Sequence, residues 1–210
     1  MHDIRTLHAD HEPDAIRQRL ASPVAKSYLA DAVLGAIDGC VTTLAVVAGA
    51  VGARFSPTVA IVLGVANLLA DGFSMAISNY QSGRTREHLL EKARLTEHEH
   101  IRHVPEGETE EVRQIFRSKG FEGEVLERIV ETITADPDLW VNTMLVEEHG
   151  LALEGPRPWL SGVTTFAAFT AVGLVPLLPF LVSVLAPEQV FTASVLLSLA
   201  AFFAVGVLKG

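Results

Sequence analysis

Cysteine is almost missing from this chain: Cys40 is the one thiol among 210 residues. A single thiol excludes an intramolecular disulfide and any thiolate metal cluster within one chain. Basic residues are outnumbered as well, 16 Lys and Arg against 25 Asp and Glu, for a net charge of −9. That balance argues against nucleic acid as a partner and favours cations. The first residues are polar and no short apolar run with a small-residue cleavage site follows, so no signal peptide is evident. There is no internal repeat and no low-complexity tract. What the chain does have is apolar character. Hydrophobic residues make up 49%, gathered in two blocks, roughly 28–80 and 159–208, with a highly charged middle between them. That is the layout of a membrane protein with a soluble insert.

Residues 28–53 read YLADAVLGAIDGCVTTLAVVAGAVGA, long and apolar enough to cross a bilayer, which takes roughly 20 helical residues. Asp31 and Asp38 lie within this run. A charged Asp at the centre of an inserted helix costs roughly 2.5–3.5 kcal/mol on insertion scales. A mere anchor needs no such group, so Asp38 reads as a cation or proton site. Asp31, Gly35, Asp38 and Thr42 share one helical face. Beside it, Gly35 and Gly39 form a GxxxG pair that admits a second helix at close range.

A turn at Gly52, Arg54 and Pro57 leads to a second span, 58–80, where Asn67, Asp71 and Met75 stand four apart on one face. A carboxylate, an amide and a thioether in one stripe suit a borderline transition metal better than Mg or Ca. Taken alone, Met75 is more often a packing residue, and its alignment with Asp71 is what raises it to a candidate ligand. The helix continues out of the membrane as SGRTREHLLEKARLTEHEHIRH, with Leu89, Leu90, Ala93, Leu95 and Ile101 as sparse apolar positions, until Pro105 and Gly107 break it. Three shorter helices are expected next. One covers about 109–118, with Val112, Ile115 and Phe116 inward. The next covers about 123–134, with Val125, Leu126, Ile129, Val130 and Ile133 inward. The last is opened by Asp136 as N-cap and Pro137 as first helical residue, carries Trp140, Met144, Leu145 and Glu148, and is capped by Gly150. An insert of roughly 70 residues is marginal for a lone core.

The Pro-rich segment 155–158 returns the chain to the membrane, with Trp159 placed at the interface. A third span runs 160–185, kinked by Pro176 and Pro179. A tight turn at 186–189 leads to a fourth, 190–208. Ahead of the spans, Pro13 begins a short helix through Ile16 and Leu20 that Pro23 should end. It reads either as an amphipathic surface helix or as a mobile tail. Arg17, Arg19 and Lys26 precede the first span, Arg84, Arg86, Lys92 and Arg94 follow the second, and Lys209 follows the fourth. The loops at Arg54 and Glu188 are short and nearly uncharged. The positive-inside rule then puts both termini and the insert in the cytoplasm.

Within the insert, Glu97 and His100 have the Glu-x-x-His spacing that helps build carboxylate metal sites in helical bundles. Glu108 and Glu111 repeat that separation on the next helix, and Met144 and Glu148 are one turn apart on the last. Glu147, His98, Glu99 and His103 stand in reserve. Such ligands suit Fe(II), Mn(II) and Zn(II).

The stretch SYLADAVLGAIDGCVTTLAVVAGAVGA with its IDG-x-VTT signature, then LADGFSMAISNYQ, then a charged helix ending EHEHIRHVPEGETEEV, resembles the vacuolar iron transporter family of Fe(II)/Mn(II) exporters. The resemblance runs from about Pro13 to the end. It implies a homodimer of helical membrane subunits, a cytoplasmic three-helix metal-binding domain between spans two and three, a path near the dimer interface, and exchange of metal for protons. By position, it implies Asp38 and Met75 as pathway residues. Asn67 falls where a glutamate is usual, and Asp71 is the substitute. It further implies Glu97, Glu108, Glu111, Met144 and Glu148 as insert ligands, with His100 where a glutamate is common and Leu145 where a second methionine occurs. The family usually has five spans and four are read here. The fifth would follow Gly210, so the sequence is a fragment or the fifth helix is dispensable, and the pathway helices are all present.

The sequence therefore predicts an all-α polytopic membrane protein. Its parts are an N-terminal cytoplasmic segment (1–27), spans one and two (28–81), a cytoplasmic helical metal-binding domain (82–158) and spans three and four (159–210). The expected activity is export of Fe(II) or Mn(II) from the cytosol in exchange for protons, with Zn(II) or another divalent metal also able to bind the insert. Asp38, Asn67, Asp71 and Met75 form the expected pathway; Glu97, His100, Glu108, Glu111, Met144 and Glu148 form the expected capture site. The expected membrane is the plasma membrane in a bacterium and the vacuolar membrane in a eukaryote. A membrane-tethered metal store or sensor, or a ferroxidase-like protein, is the alternative without transport.

Overall fold

Apolar runs joined by proline and glycine fold here as helices. The computed structural model describes residues 8–9, 11–22, 26–181 and 187–209, with no strand among them. In chain order the helices are α1 (Pro13–Ala21), α2 (Leu29–Gly52), α3 (Pro57–His103), α4 (Pro105–Ser118), α5 (Gly123–Thr134), α6 (Pro137–Glu147), α7 (Pro158–Gly173), a 3-10 segment (Val175–Leu181) and α8 (Pro187–Lys209). Four stretches are long and apolar enough to cross a membrane: Leu29–Gly52, the first part of Pro57–His103, Pro158–Leu181 and Gln189–Leu208.

α3 is one unbroken helix of 47 residues, about 70 Å long at the usual rise. Its N-terminus is fixed by Ser56, whose side chain accepts from the Val59 amide, and by Pro57 in the first turn. The apolar first half packs with α2 and α7, and the charged second half packs with α4 and α6. One rod thus carries both the second span and the base of the insert.

The tightest contact in the membrane region joins α2 to α7. A Cβ on Gly35 would overlap the Thr165 carbonyl oxygen, and one on Gly39 the Phe169 carbonyl oxygen. The close approach expected of the Gly35/Gly39 pair is realised, and its partner is the third span. Gly162 on α7 returns the arrangement toward α3, where a Cβ would stand 2.8 Å from the Ala76 carbonyl oxygen. Phe169 fills the space so created, fully buried with Val47, Leu68 and Leu177, and Met75 packs at the edge of this cluster.

Three expectations are corrected. α3 ends at His103, just before Pro105, as expected, but Gly107 breaks nothing: Pro105 itself starts α4, four residues earlier than expected, because proline lacks only an amide that the first turn leaves unpaired anyway. The third span is not one kinked helix: α7 stops at Gly173 and Pro176 and Pro179 sit in a tighter 3-10 segment. Val125 is 58% exposed rather than inward. The insert's core is Val112, Leu126, Val130, Ile133, Trp140 and Met144, flanked by Ile101, Ile115, Phe116 and Ile129. Pro23, Ala186 and the end of the third span at 182–185 lie outside the described residues.

Replacing Gly39 by Ala forces α2 from α7 against backbone that cannot give way. Overpacking of this kind costs about 1–3 kcal/mol. The purified Gly39→Ala protein should melt at a clearly lower temperature in detergent than wild type, while Gly49→Ala, where added bulk meets nothing within 4 Å, should not. Equal melting of the two variants would contradict the close contact.

Candidate metal centre and membrane polar groups

The insert brings three helix ends together around Glu97. This residue lies near the end of α3 and is 1% exposed. Glu108, in the first half of α4, is 5% exposed. One oxygen of each, Glu97 Oε2 and Glu108 Oε2, is buried without a hydrogen-bond partner. A buried carboxylate oxygen left unpaired is costly, and a cation is the partner that removes the cost.

Two groups of ligand-type atoms meet there, each with all atoms within 4.8 Å of one another: Glu97 with His100 and Glu108, and Glu97 with Glu148 and His149. His100 Nδ1 stands 3.3 Å from Glu108 Oε1 and 4.0 Å from Glu97 Oε1. On the other side His149 Nε2 donates to Glu97 Oε1 at 2.9 Å and lies 3.8 Å from Glu148 Oε2. The chain arrives at His149 by a helix ending that fixes its place. Gly150 adopts φ 63°, a conformation glycine takes without strain. The Leu151 amide then donates back to the Leu145 carbonyl at 2.9 Å and the His149 amide to the Met144 carbonyl at 3.2 Å. The start of the same helix is set by Asp136, whose carboxylate accepts from the Asp138 and Leu139 amides.

Of the residues singled out in the sequence, Glu97, His100, Glu108 and Glu148 converge. Glu111 is exposed and outside both groups, yet close enough for its charge to act on Glu108 and Glu148. Met144 is fully buried in the apolar cluster one turn before Glu148. Of the reserves, Glu147 pairs with Lys119 at 2.5 Å, and His98, Glu99 and His103 are exposed. His149 escaped the sequence reading. It lies beyond the end of α6 and its C-cap Glu148, so helical spacing pairs it with nothing acidic, and its partner Glu97 is 52 positions away.

Electrostatics mark the cluster as starved of positive charge. Burial, then the negative charges of Glu111 and Glu97, push Glu108 from 4.5 to about 7, and His100 only partly opposes this. Glu148 is raised by burial and then by Glu97. His149 is raised chiefly by its hydrogen bond to Glu97.

In the membrane region, α2 and α3 face each other with polar groups. Asn67 Nδ2 donates to Thr42 Oγ1 at 3.3 Å, Thr42 donates to the Asp38 carbonyl at 2.9 Å, and Asp71 lies within coulombic reach of Asp38. Of the four pathway candidates, Asp38, Asn67 and Asp71 are half-buried. Met75 is also half-buried, at the edge of the apolar cluster around Phe169. Asp31 is engaged differently. Asn79, which the sequence reading passed over, donates to Asp31 Oδ1 at 2.8 Å and to Thr165 Oγ1 at 2.7 Å, tying α2, α3 and α7 together.

The VIT family model matches residues 29–210. The chain is 30% identical over 225 residues to a vacuolar iron transporter of Toxoplasma gondii, covering 100% of this chain and 74% of that protein. It is 32% identical over 181 residues to vacuolar iron transporter 1 of Arabidopsis thaliana, covering 86% of this chain and 72% of that protein. With vacuolar iron transporter 1 of Tulipa gesneriana it shares 29% identity over 187 residues, 89% of this chain and 75% of the relative.

A carboxyl whose folded pKa is raised binds more protons in the native than in the unfolded state between the two values. For Glu108 that window is about 4.5 to 7, and across it the metal-free fold loses stability as pH rises. His149, raised as well, contributes stability that is present at low pH and lost as pH rises through its folded pKa, in the same direction. Metal-free protein should therefore melt at lower temperature at pH 8 than at pH 5.5, and Glu108→Gln should flatten the difference. A metal that displaces the proton should bind more tightly as pH rises toward 7. Melting that rises with pH in wild type but not in Glu108→Gln would overturn the sign.

Proposed function

The chain belongs to the VIT family, and from that membership we propose that it exports Fe(II), together with Mn(II), from the cytosol in exchange for protons. Its relatives are named transporters; the chain is a multi-pass membrane protein that transports metal and is not an enzyme. The observation that carries the finer reading is that Asp38 on the first span and Asp71 on the second lie within coulombic reach of each other. Two carboxylates held near each other in an apolar setting repel unless a cation or protons sit with them.

In this reading the insert is a cytoplasmic metal-binding domain. Its Glu97, His100, Glu108 and Glu148 capture the ion, with Glu111 adding negative field and Met144 a thioether. The ion then passes between α2 and α3, where Asp38 and Asp71 ligate it, Asn67 and Thr42 hold the two helices in register, and Met75 lines the route. Protons on the same carboxylates travel the other way. Leu34, Ile37 and Val41 expose an apolar strip on α2, next to a groove lined by Ser27, Leu29, Ala30, Val33, Leu34, Ile37 and Asp38. A second copy docking on this strip makes a homodimer with the route near its interface. The vacuolar membrane is the location in a eukaryote and the plasma membrane in a bacterium.

Full-length protein in liposomes tests the proposal. Wild type should move Fe(II) and Mn(II), faster with an opposing pH gradient, and Asp38→Ala should lower flux to the protein-free level while the insert still binds metal. Metal binding without flux in wild type would instead favour a membrane-tethered store. Full flux in Asp38→Ala would remove Asp38 from the route.

A further inference from the structure

We propose that His149 is a metal ligand in its own right, forming with Glu97 and Glu148 a nitrogen-containing site that prefers Zn(II)-like ions to Mn(II). The inference rests on the insert being a metal-capture domain and adds a residue that sets which metal it favours.

The geometry carries it. Nε2 of His149, Oε1 of Glu97 and an oxygen of Glu148 all lie within 4.8 Å of one another. The two measured separations from Nε2 are 2.9 and 3.8 Å. Ligand atoms at the edges of a tetrahedral zinc site, each about 2.0–2.2 Å from the ion, are roughly 3.3 Å apart. Small side-chain adjustments therefore suffice to seat an ion. The independent sign of a missing cation is Glu97 Oε2, buried and without a partner at the heart of the cluster. His149 itself is 34% exposed at its side chain, so the site opens to solvent on the imidazole side and an ion can enter. The hydrogen that Nε2 now gives to Glu97 Oε1 is the one an ion would replace. The left-handed Gly150 fixes the backbone just behind the ring, so the imidazole is held at the mouth instead of waving on a loose loop.

The chemistry follows from the donor. Mn(II) is the weakest binder of the first-row divalent ions at any such site, and an imidazole, a donor suited to Zn(II) and Fe(II), widens its disadvantage, whereas carboxylates are the donors Mn(II) takes best. His149 thus makes one side of the cluster a nitrogen site, while Glu97 is shared with the His100 and Glu108 group.

The test uses full-length protein in detergent and measures Zn(II) and Mn(II) affinity for wild type, His149→Ala, His149→Gln and Glu97→Gln. Glutamine keeps a hydrogen-bond donor toward Glu97 but is a poor metal ligand. Both His149 variants should lose at least about tenfold in Zn(II) affinity, the lower end of what even an outer-shell change costs, while Mn(II) affinity falls by less than about threefold. Zn(II) affinity retained in His149→Gln would mean that the ring only orients Glu97, and equal losses for both metals would mean a structural role; either overturns the proposal. Glu97→Gln separates this from the capture reading. If it weakens both metals while the His149 variants change nothing, capture stands and the His149 site falls. If Glu97→Gln binds as wild type does, the capture reading falls and takes this site with it.

Discussion

A carboxylate removed from water must find positive charge, and this requirement organises both halves of the molecule. In the insert, Glu97 and Glu108 are buried with an unpaired oxygen each. In the membrane, Asp38 and Asp71 lie within coulombic reach of each other on neighbouring helices. Neither arrangement is stable on hydrophobic grounds, since a Leu at any of these positions would pack without penalty. What tolerates them is a fold rigid enough to hold them in place. That rigidity comes from α3, a single hydrogen-bonded rod of 47 residues. It carries Asn67, Asp71 and Met75 in its first half and Glu97 and His100 in its second, about 33 Å apart from Met75 to Glu97 at the usual rise.

The insert's apolar core is small. Its buried side chains are Val112, Leu126, Val130, Ile133, Trp140 and Met144, and a domain of that size stands near the limit of independent stability. An ion held between α3, α4 and the end of α6 would cross-link the elements that this core joins only weakly. Binding energy would then become folding energy. The surface around the site is arranged to leave the cluster negative: Arg113 is taken up by Glu110 and Glu127, and Lys119 by Glu147. Arg113 and Lys119 are thus engaged on the outside, while the positive partners given to the buried acids are the imidazoles of His100 and His149.

Much of this was legible in the sequence because it follows from local rules. Hydropathy and length mark the four candidate spans, the Asp136-Pro137 pair marks the start of α6, and the Gly35/Gly39 spacing announces a close helix contact. The partner in that contact was not legible, because α7 lies some 130 positions on and nothing local points to it. The same limit hid His149 and Asn79. Each acquires its meaning from a side chain 52 or 48 positions away, Glu97 and Asp31 respectively. The start of α4 was misplaced for the opposite reason, since Pro105, which does follow the end of α3, also begins the next helix. A proline both breaks and begins helices, and which it does depends on whether the preceding chain has already turned.

The two carboxylates of α2 show how partners sort residues that sequence treats alike. Asp31 and Asp38 are seven positions apart on one face, the same residue type and both within the first span. Asp31 accepts a hydrogen bond at 2.8 Å from Asn79, which also donates to Thr165. Its charge is thereby solvated by a fixed dipole, and its effect is to clamp three helices at one end of the bundle. Asp38 has Asp71 as its charged neighbour, and the amide on that side, Asn67, is bonded to Thr42 instead. A carboxylate with a dipole attending it has little need of an ion, since the ion would have to displace that dipole. A carboxylate facing another carboxylate gains from any cation that arrives and loses it again as soon as protons take its place. Reversible occupancy of that kind is what the proposed route asks of a carboxylate, and between the two it is Asp38 whose surroundings suit it.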